Sequence, residues 1–395
     1  MIRVLQLTPR LPYPPTDGGR VVMLQIARAL QRVGADVHVL SLNPRKHRGD
    51  PALAPMDIEA VDIDTSAHLA ALLRAFRIGA PQLVARFYSR RAADALRARL
   101  RAQRFDVVQV ESPFLLPYVP VIRESGAVVV LRSLNVEFRI WEQLAAQETN
   151  VVRRIARSWI ARGLRRYEIA HLDTCDALVP ITEEDARAFG ELGCTKPMHV
   201  LPGGVEPPPL DTTGGITLPD SVGFLGSLDY RPNQEAALWI ADELRPRLPK
   251  AVIRIGGSNA PQWLRERLGA SLEADVPDAA AFIRGMQVMV APIFAGGGMR
   301  IKIMEAMNLG RPVVATSVGA SGMDVRHGEH ILLADDAASF AAAVAKLLRD
   351  PSRARAIGEA GRRLVETRYA SDALARGLLA FYEQLTESAR VDARR

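Results

Sequence analysis

Short apolar runs alternate along this chain with longer stretches in which apolar residues recur every three or four positions. The first run covers residues 2–7 and leads into a loop of prolines and glycines from Pro9 to Gly19. Val22, Leu24, Ile26, Ala27 and Leu30 then follow at helical spacing, and Gly34 stops them before a second apolar run at 37–42. Strand, helix and strand in that order predict a parallel pair. Further strands are expected at 58–63, 107–110, 128–131 and 177–181, with helices at about 66–76, 89–103 and 150–172. Residues 201–209 are dense in glycine and proline and read as a hinge. A second α/β run follows, with strands expected at 221–225, 252–255, 288–291, 312–315 and 331–333. Two doubly wound parallel sheets are therefore predicted, facing a cleft at the C-terminal ends of their strands, where ligands bind in this architecture.

Length and composition agree with that picture. The 395 residues suffice for two or three domains, and a hydrophobic content of 48% lets each half bury a core. No apolar stretch approaches the roughly 18 residues of a membrane span, and the N-terminus lacks the features of a signal peptide. The two cysteines, Cys175 and Cys194, have no metal spacing and suit a reducing cytoplasm. Charge is unevenly placed. Residues 1–200 hold 28 Lys and Arg against 21 Asp and Glu, whereas the remainder holds 23 of each. The excess cation of the first half suits an anionic partner. Nucleic acid is not expected, because no helix-turn-helix, zinc or stacking-aromatic signature accompanies the charge.

The sharpest chemical motif runs from Ala291 to Met307. A buried strand ends in Gly296, Gly297 and Gly298, and a helix begins with Arg300 and Lys302 in its first turn. Glycines let backbone amides approach a ligand, and a helix N-terminus favours an anion. Cations there are unfavourable unless an anion compensates them. Glu305, farther along, is placed to reach a ribose.

This segment, with Gly310 to Thr316 after it, resembles the donor-binding segment of retaining glycosyltransferases of the GT-B fold, family 4, in particular sugar transferases of exopolysaccharide gene clusters. The Pro9 to Gly19 loop resembles the family's glycine loop, which puts Gly18 and Gly19 beside the donor phosphates. Residues 181–185, 201–206 and 223–227 are similar to further family segments. The resemblance implies an α/β chain of two Rossmann-like domains, an acceptor domain at 1–202 and a donor domain at 203–370. It also implies a last helix near 373–385, within 371–395, that crosses back to the first domain. The implied reaction moves a sugar from a UDP- or GDP-sugar to a saccharide or lipid-linked acceptor in bacterial polysaccharide biosynthesis.

Three departures from the family pattern stand out. The family's earlier glutamate, eight residues before Glu305, is Gly297 here. Ser227 stands where the family often has arginine, with Arg231 as an approximate substitute. A family histidine near strand 128–131 is absent, which leaves Asn135 and Glu137 as catalytic-side candidates or, equally, as turn caps. A nucleotide-sugar epimerase of the same fold and a non-catalytic nucleotide-sugar-binding protein remain alternatives.

No cofactor or metal is expected. His327 and His330 share only a short loop, and Asp62 and Asp64 read as strand-edge residues. Arg300 and Lys302 would do a metal's electrostatic work on the leaving diphosphate. Residues 152–167 form a basic amphipathic stretch. It either meets an anionic membrane surface, making the protein peripheral at the inner face, or packs Trp159 on the sheet with its arginines solvated. The second of these readings is the simpler expectation.

Overall fold

The computed structural model describes residues 1–15, 17–45, 48–66, 69–206, 218–295 and 299–392. The chain divides into two compact units, Met1–Gly204 with Ser371–Arg395, and Val205–Ala370.

The first unit is built on β1 (Arg3–Thr8), β2 (Asp36–Pro44), β3 (Ile58–Ile63), β4 (Val107–Val110), β5 (Val128–Ser133) and β6 (Ala177–Pro180). All pairs are parallel, in the order β3-β2-β1-β4-β5-β6. Every residue of β4, β5 and β6 is buried, as expected for strands covered on both faces. One layer packs Leu5, Leu96, Val108, Leu164 and Tyr167 together. The opposite layer joins Ile26 and Leu30 of the Gly18–Arg32 helix to Ala375, Leu378 and Tyr382 of the Ser371–Asp392 helix. That last helix thus belongs to the first unit, and Arg32 pairs with Asp372 at 2.7 Å beside its start.

The second unit repeats the plan with β7 (Ser221–Leu225), β8 (Val252–Gly257), β9 (Leu272–Ala274), β10 (Val288–Ala291), β11 (Val313–Ala315) and β12 (Leu332–Leu333). Its order is β12-β11-β10-β7-β8-β9, again parallel throughout. In each sheet the strand order reverses at one point, between β1 and β4 in the first and between β7 and β10 in the second. Crevices at the carboxyl ends of such strands are where this architecture holds ligands.

Several local expectations change. Gly18 and Gly19 do not close a loop but open the Gly18–Arg32 helix, because the Asp17 side chain accepts from the Arg20 amide and caps it. Glu137 starts a helix, Glu137–Ala146, that the pattern did not predict. β9 was likewise unforeseen; it is three half-buried residues at a sheet edge. The Val151–His171 helix does not pack Trp159 inward, since that side chain is 74% exposed.

Candidate functional site

In the second unit, the loop after β7 and the Ile301–Asn308 helix after β10 bring a polar cluster to the reversal point. Lys302 Nζ donates to Asn233 Oδ1 at 2.6 Å, and Asn233 Nδ2 donates to the Ser227 carbonyl at 2.8 Å. The buried Asn233 thus ties the β7 loop to the first turn of the helix. Gly226 makes this possible, since a Cβ there would stand 2.8 Å from Lys302 Nζ and 3.0 Å from Asn233 Nδ2. Phe224 lies beneath, its ring centroid 4.5 Å from the ammonium. Arg300 is the N-cap residue of the helix, with no side-chain capping bond.

The electrostatics of this cluster are unusual. Burial, and then the Arg300 charge, press the Lys302 ammonium down to about 7, against a weaker opposing pull from Glu305. Burial raises the Glu305 carboxyl to about 7, and Lys302 offsets only part of that. Arg300 is lowered by burial too. The Lys302 ammonium therefore stands, next to a second cation, at a helix start where a bound anion would relieve it.

The other donor-side candidates fall in different places. Ser227 belongs to the cluster through its carbonyl, while its hydroxyl donates to Asp229 Oδ1 at 2.6 Å. Arg231 is not drawn in; its exposed guanidinium pairs with Glu235 at 2.7 Å. Gly297 and Gly298 lie outside the described residues.

In the first unit, the reversal point is filled differently. Glu111, after β4, accepts from Gln6 Nε2 at 2.6 Å, from Gln109 Nε2, and from Arg132 Nη1 at 2.9 Å. Tyr382 of the last helix donates to Gln109 Oε1, closing a network with Glu111 and Arg132 buried at its centre. Gly19 lies beside the same strand ends. A Cβ on it would meet Arg10 Nη2 at 2.9 Å, and Arg10 pairs with Asp17 at 2.8 Å.

Asn135 and Glu137 follow β5. The Asn135 carbonyl accepts from Ser133 Oγ at 2.6 Å, so its backbone stabilises the turn. Glu137 heads its helix, and burial together with the Glu168 carboxyl raises it to about 8. Glu168 reaches in from the Val151–His171 helix. It accepts the Glu137 amide at 3.1 Å and the Phe138 amide at 2.9 Å, capping the unpredicted helix. Its own carboxyl rises to about 7, because burial outweighs those two bonds.

Asn233, Glu111 and Glu168 went unnoticed in the sequence. Their partners lie 69, 105 and 31 positions away, so no local spacing marks them. Asp62 accepts from Asn43 at 2.9 Å and pairs with Arg48, and Asp64 accepts from the Ser66 amide at 2.9 Å. The His330 ring accepts from the Arg326 amide at 3.2 Å and the His327 ring from the Leu333 amide at 3.0 Å. Among the described residues, no group of three or more His, Cys, Asp or Glu side chains is placed to hold a metal.

Comparison with known proteins places this geometry. Residues 16–207 match the family model described as Glycosyltransferase Family 4, and residues 219–350 match Glycosyl transferases group 1. A Klebsiella pneumoniae protein, described as an uncharacterized 44.6 kDa protein in the cps region, is 21% identical over 86% of this chain and 89% of its own length. Phosphatidyl-myo-inositol mannosyltransferase of Mycobacterium leprae is 30% identical over 48% of this chain and 54% of that protein. Among solved structures, sucrose-phosphate synthase from Thermosynechococcus elongatus matches with a TM-score of 0.70 at 16% identity, covering 98% of this chain and 100% of that one. Anabaena HepE in complex with UDP-glucose matches with a TM-score of 0.63 at 14% identity, covering 99% and 100%.

Two parallel six-stranded units of this order have the GT-B fold, and the two family matches make the chain a glycosyltransferase of that class. Residues 16–207 carry a glycosyltransferase family 4 domain and residues 219–350 a glycosyl transferases group 1 domain. The epimerase and the non-catalytic binding protein are not favoured.

Proposed function

We propose that this glycosyltransferase moves a sugar from a UDP- or GDP-sugar to a hydroxyl of a saccharide or lipid-linked acceptor, with retention of anomeric configuration, in bacterial polysaccharide biosynthesis. The observation that carries the donor assignment is the half-buried Lys302 ammonium, which donates to Asn233 at 2.6 Å in the first turn of a helix, beside the Arg300 cation, and is pressed toward its neutral form. A diphosphate would supply negative charge there. In the transfer, the acceptor oxygen bonds to the anomeric carbon, the bond from that carbon to the diphosphate breaks, and the diphosphate leaves with the electron pair and takes up the acceptor's hydroxyl proton. Arg300 and Lys302 stabilise the negative charge that develops, without a metal. Glu305 accepts from ribose hydroxyls, and Gly297 and Gly298, which carry no side chain, belong to the donor-binding segment. Asn135 and Glu137 take the catalytic side, where the family has its histidine. The UDP-glucose held by the Anabaena relative supports a uridine donor among the two bases.

Calorimetric titration with UDP and GDP tests this reading. Lys302→Ala and Arg300→Ala should each weaken the better nucleotide by about 1–3 kcal/mol, the scale of a charge-assisted hydrogen bond. Unchanged affinity in both variants overturns the assignment. Transfer activity should survive EDTA; full loss, restored by magnesium or manganese, would show that a metal takes part.

A further inference from the structure

The Val151–His171 helix carries features that sugar transfer does not use. It packs inward through Ala161, Leu164, Tyr167 and the capping Glu168. On the opposite side, Val152, Ile155 and Trp159 are 76%, 57% and 74% exposed, with Val151 beside them. Spacings of three, four and seven put these side chains on one stripe. A bare tryptophan in such a stripe indicates a surface that something covers.

The charge around the stripe says what covers it. The helix has six arginines and one carboxylate, and that carboxylate, Glu168, is buried and engaged with the neighbouring helix start. Arg157 is held by Glu148 at 2.9 Å, and Arg165 lies over the Phe138 ring. Arg153, Arg154, Arg162 and Arg166 are exposed and make no ion pair among the described residues. Arg162 and Arg166 continue the face on which Ile155 and Trp159 stand. A second element agrees. The Leu69–Ile78 helix exposes Leu73 and Phe76, the latter 90%, with Arg77 between Phe76 and an Ile78 that packs on the same core layer as Leu164 and Tyr167. Both aromatic tips therefore belong to helices on one side of the first unit's sheet.

We propose that this side of the first unit docks on an anionic lipid bilayer, with Ile155 and Trp159 entering the interface and Arg153, Arg154, Arg162 and Arg166 on the headgroups. A bilayer offers apolar depth and negative charge together, the pair of properties this face matches. A second copy of the chain fits it poorly, since twofold pairing would set arginines against arginines with no exposed carboxylate on the helix. The proposal is independent of the donor chemistry, and its failure would leave the sugar-transfer reading untouched.

The test is co-sedimentation of the full chain with phosphatidylcholine vesicles, with and without phosphatidylglycerol. The wild type should sediment with the anionic vesicles at low salt, leave them at high salt, and ignore pure phosphatidylcholine. Ile155→Ser with Trp159→Ser, and separately Arg153→Gln, Arg154→Gln, Arg162→Gln and Arg166→Gln combined, should each weaken partition about tenfold or more. Melting temperature and UDP affinity should hold in both, because every altered side chain is exposed in the wild type. Absence of binding to anionic vesicles at low salt overturns the proposal, as does binding that both variants retain. Wild-type dimerisation abolished by Trp159→Ser would assign the face to a second copy and overturn it as well.

Discussion

The two units share one strand order and place charged side chains at the same topological point, yet they treat that charge in opposite ways. At the β1/β4 reversal, Glu111 is fully buried and fully answered by Gln6, Gln109 and Arg132. At the β7/β10 reversal, Lys302 donates, among the described residues, to the neutral Asn233, and the neighbouring Arg300 cation pushes it further toward the uncharged form. A satisfied buried charge holds a fold together, and removing one partner strands the other. An under-compensated charge costs stability and is held ready for a ligand. Topology fixes where the polar residues gather; the counter-charge decides whether the place is a brace or a site.

The largest effect that would break this contrast concerns the brace. Glu111→Gln leaves Arg132 buried beside a neutral amide and should destabilise the protein by about 3–5 kcal/mol, read by chemical denaturation. UDP affinity of the folded fraction should not change, because the cation cluster belongs to the second unit. A loss below about 1 kcal/mol would mean that the network is not structural.

The converse effect is smaller and of opposite sign. Lys302→Met should raise the stability of the ligand-free protein, on the order of 1 kcal/mol, while weakening nucleotide binding. The pH dependence follows from the depressed ammonium. Between about 7 and its ordinary value of 10.5, the unfolded lysine holds a proton that the folded one has released. The cost of burying it is therefore complete below about 7 and relieved as pH rises, so the gain in the variant should be greater at pH 6 than at pH 9. Denaturation curves at the two values check this.

Glu137 and Glu168 sharpen the comparison within the first unit. Their carboxyls are raised to about 8 and about 7, from an ordinary 4.5. A raised carboxyl contributes stability that is complete below the unfolded value and lost as pH climbs through the folded one. Stability should thus fall between about pH 5 and 8, and Glu137→Gln should flatten that slope. The smallest effect belongs to Arg231. Its exposed pair with Glu235 is worth about 0–1 kcal/mol, and Arg231→Gln should leave both stability and UDP binding nearly unchanged. A clear loss of UDP affinity would return Arg231 to the donor site.

Among the described residues, eleven of the twelve strands were legible because parallel strands buried on both faces read as short apolar runs. β9 was not, since Leu272-Glu273-Ala274 is half-exposed and pairs Glu273 with Arg254 at the edge rather than forming an apolar run. The Glu137–Ala146 helix was hidden because its cap comes from Glu168, in another helix, instead of from a local Ser, Thr, Asp or Asn. Asp17 did announce the Gly18–Arg32 helix, but the two glycines after it masked the signal. Arg300, Lys302 and Glu305 were visible as cations and a carboxylate behind a glycine run. Asn233, which holds Lys302 in place, was not, because the contact exists only once β7 and β10 lie side by side. Helical periodicity showed a stripe through Trp159 but not which side of the helix the sheet would bury.

In the proposed transfer, Lys302 and Arg300 meet the diphosphate of the donor. The most direct measurement is parallel calorimetric titration of the wild type and Lys302→Ala with UDP and with uridine. Uridine carries the base and ribose but no phosphate, so the account predicts that the substitution weakens UDP by about 1–3 kcal/mol and leaves uridine affinity unchanged. Equal losses for the two ligands, or no loss for UDP, would contradict it.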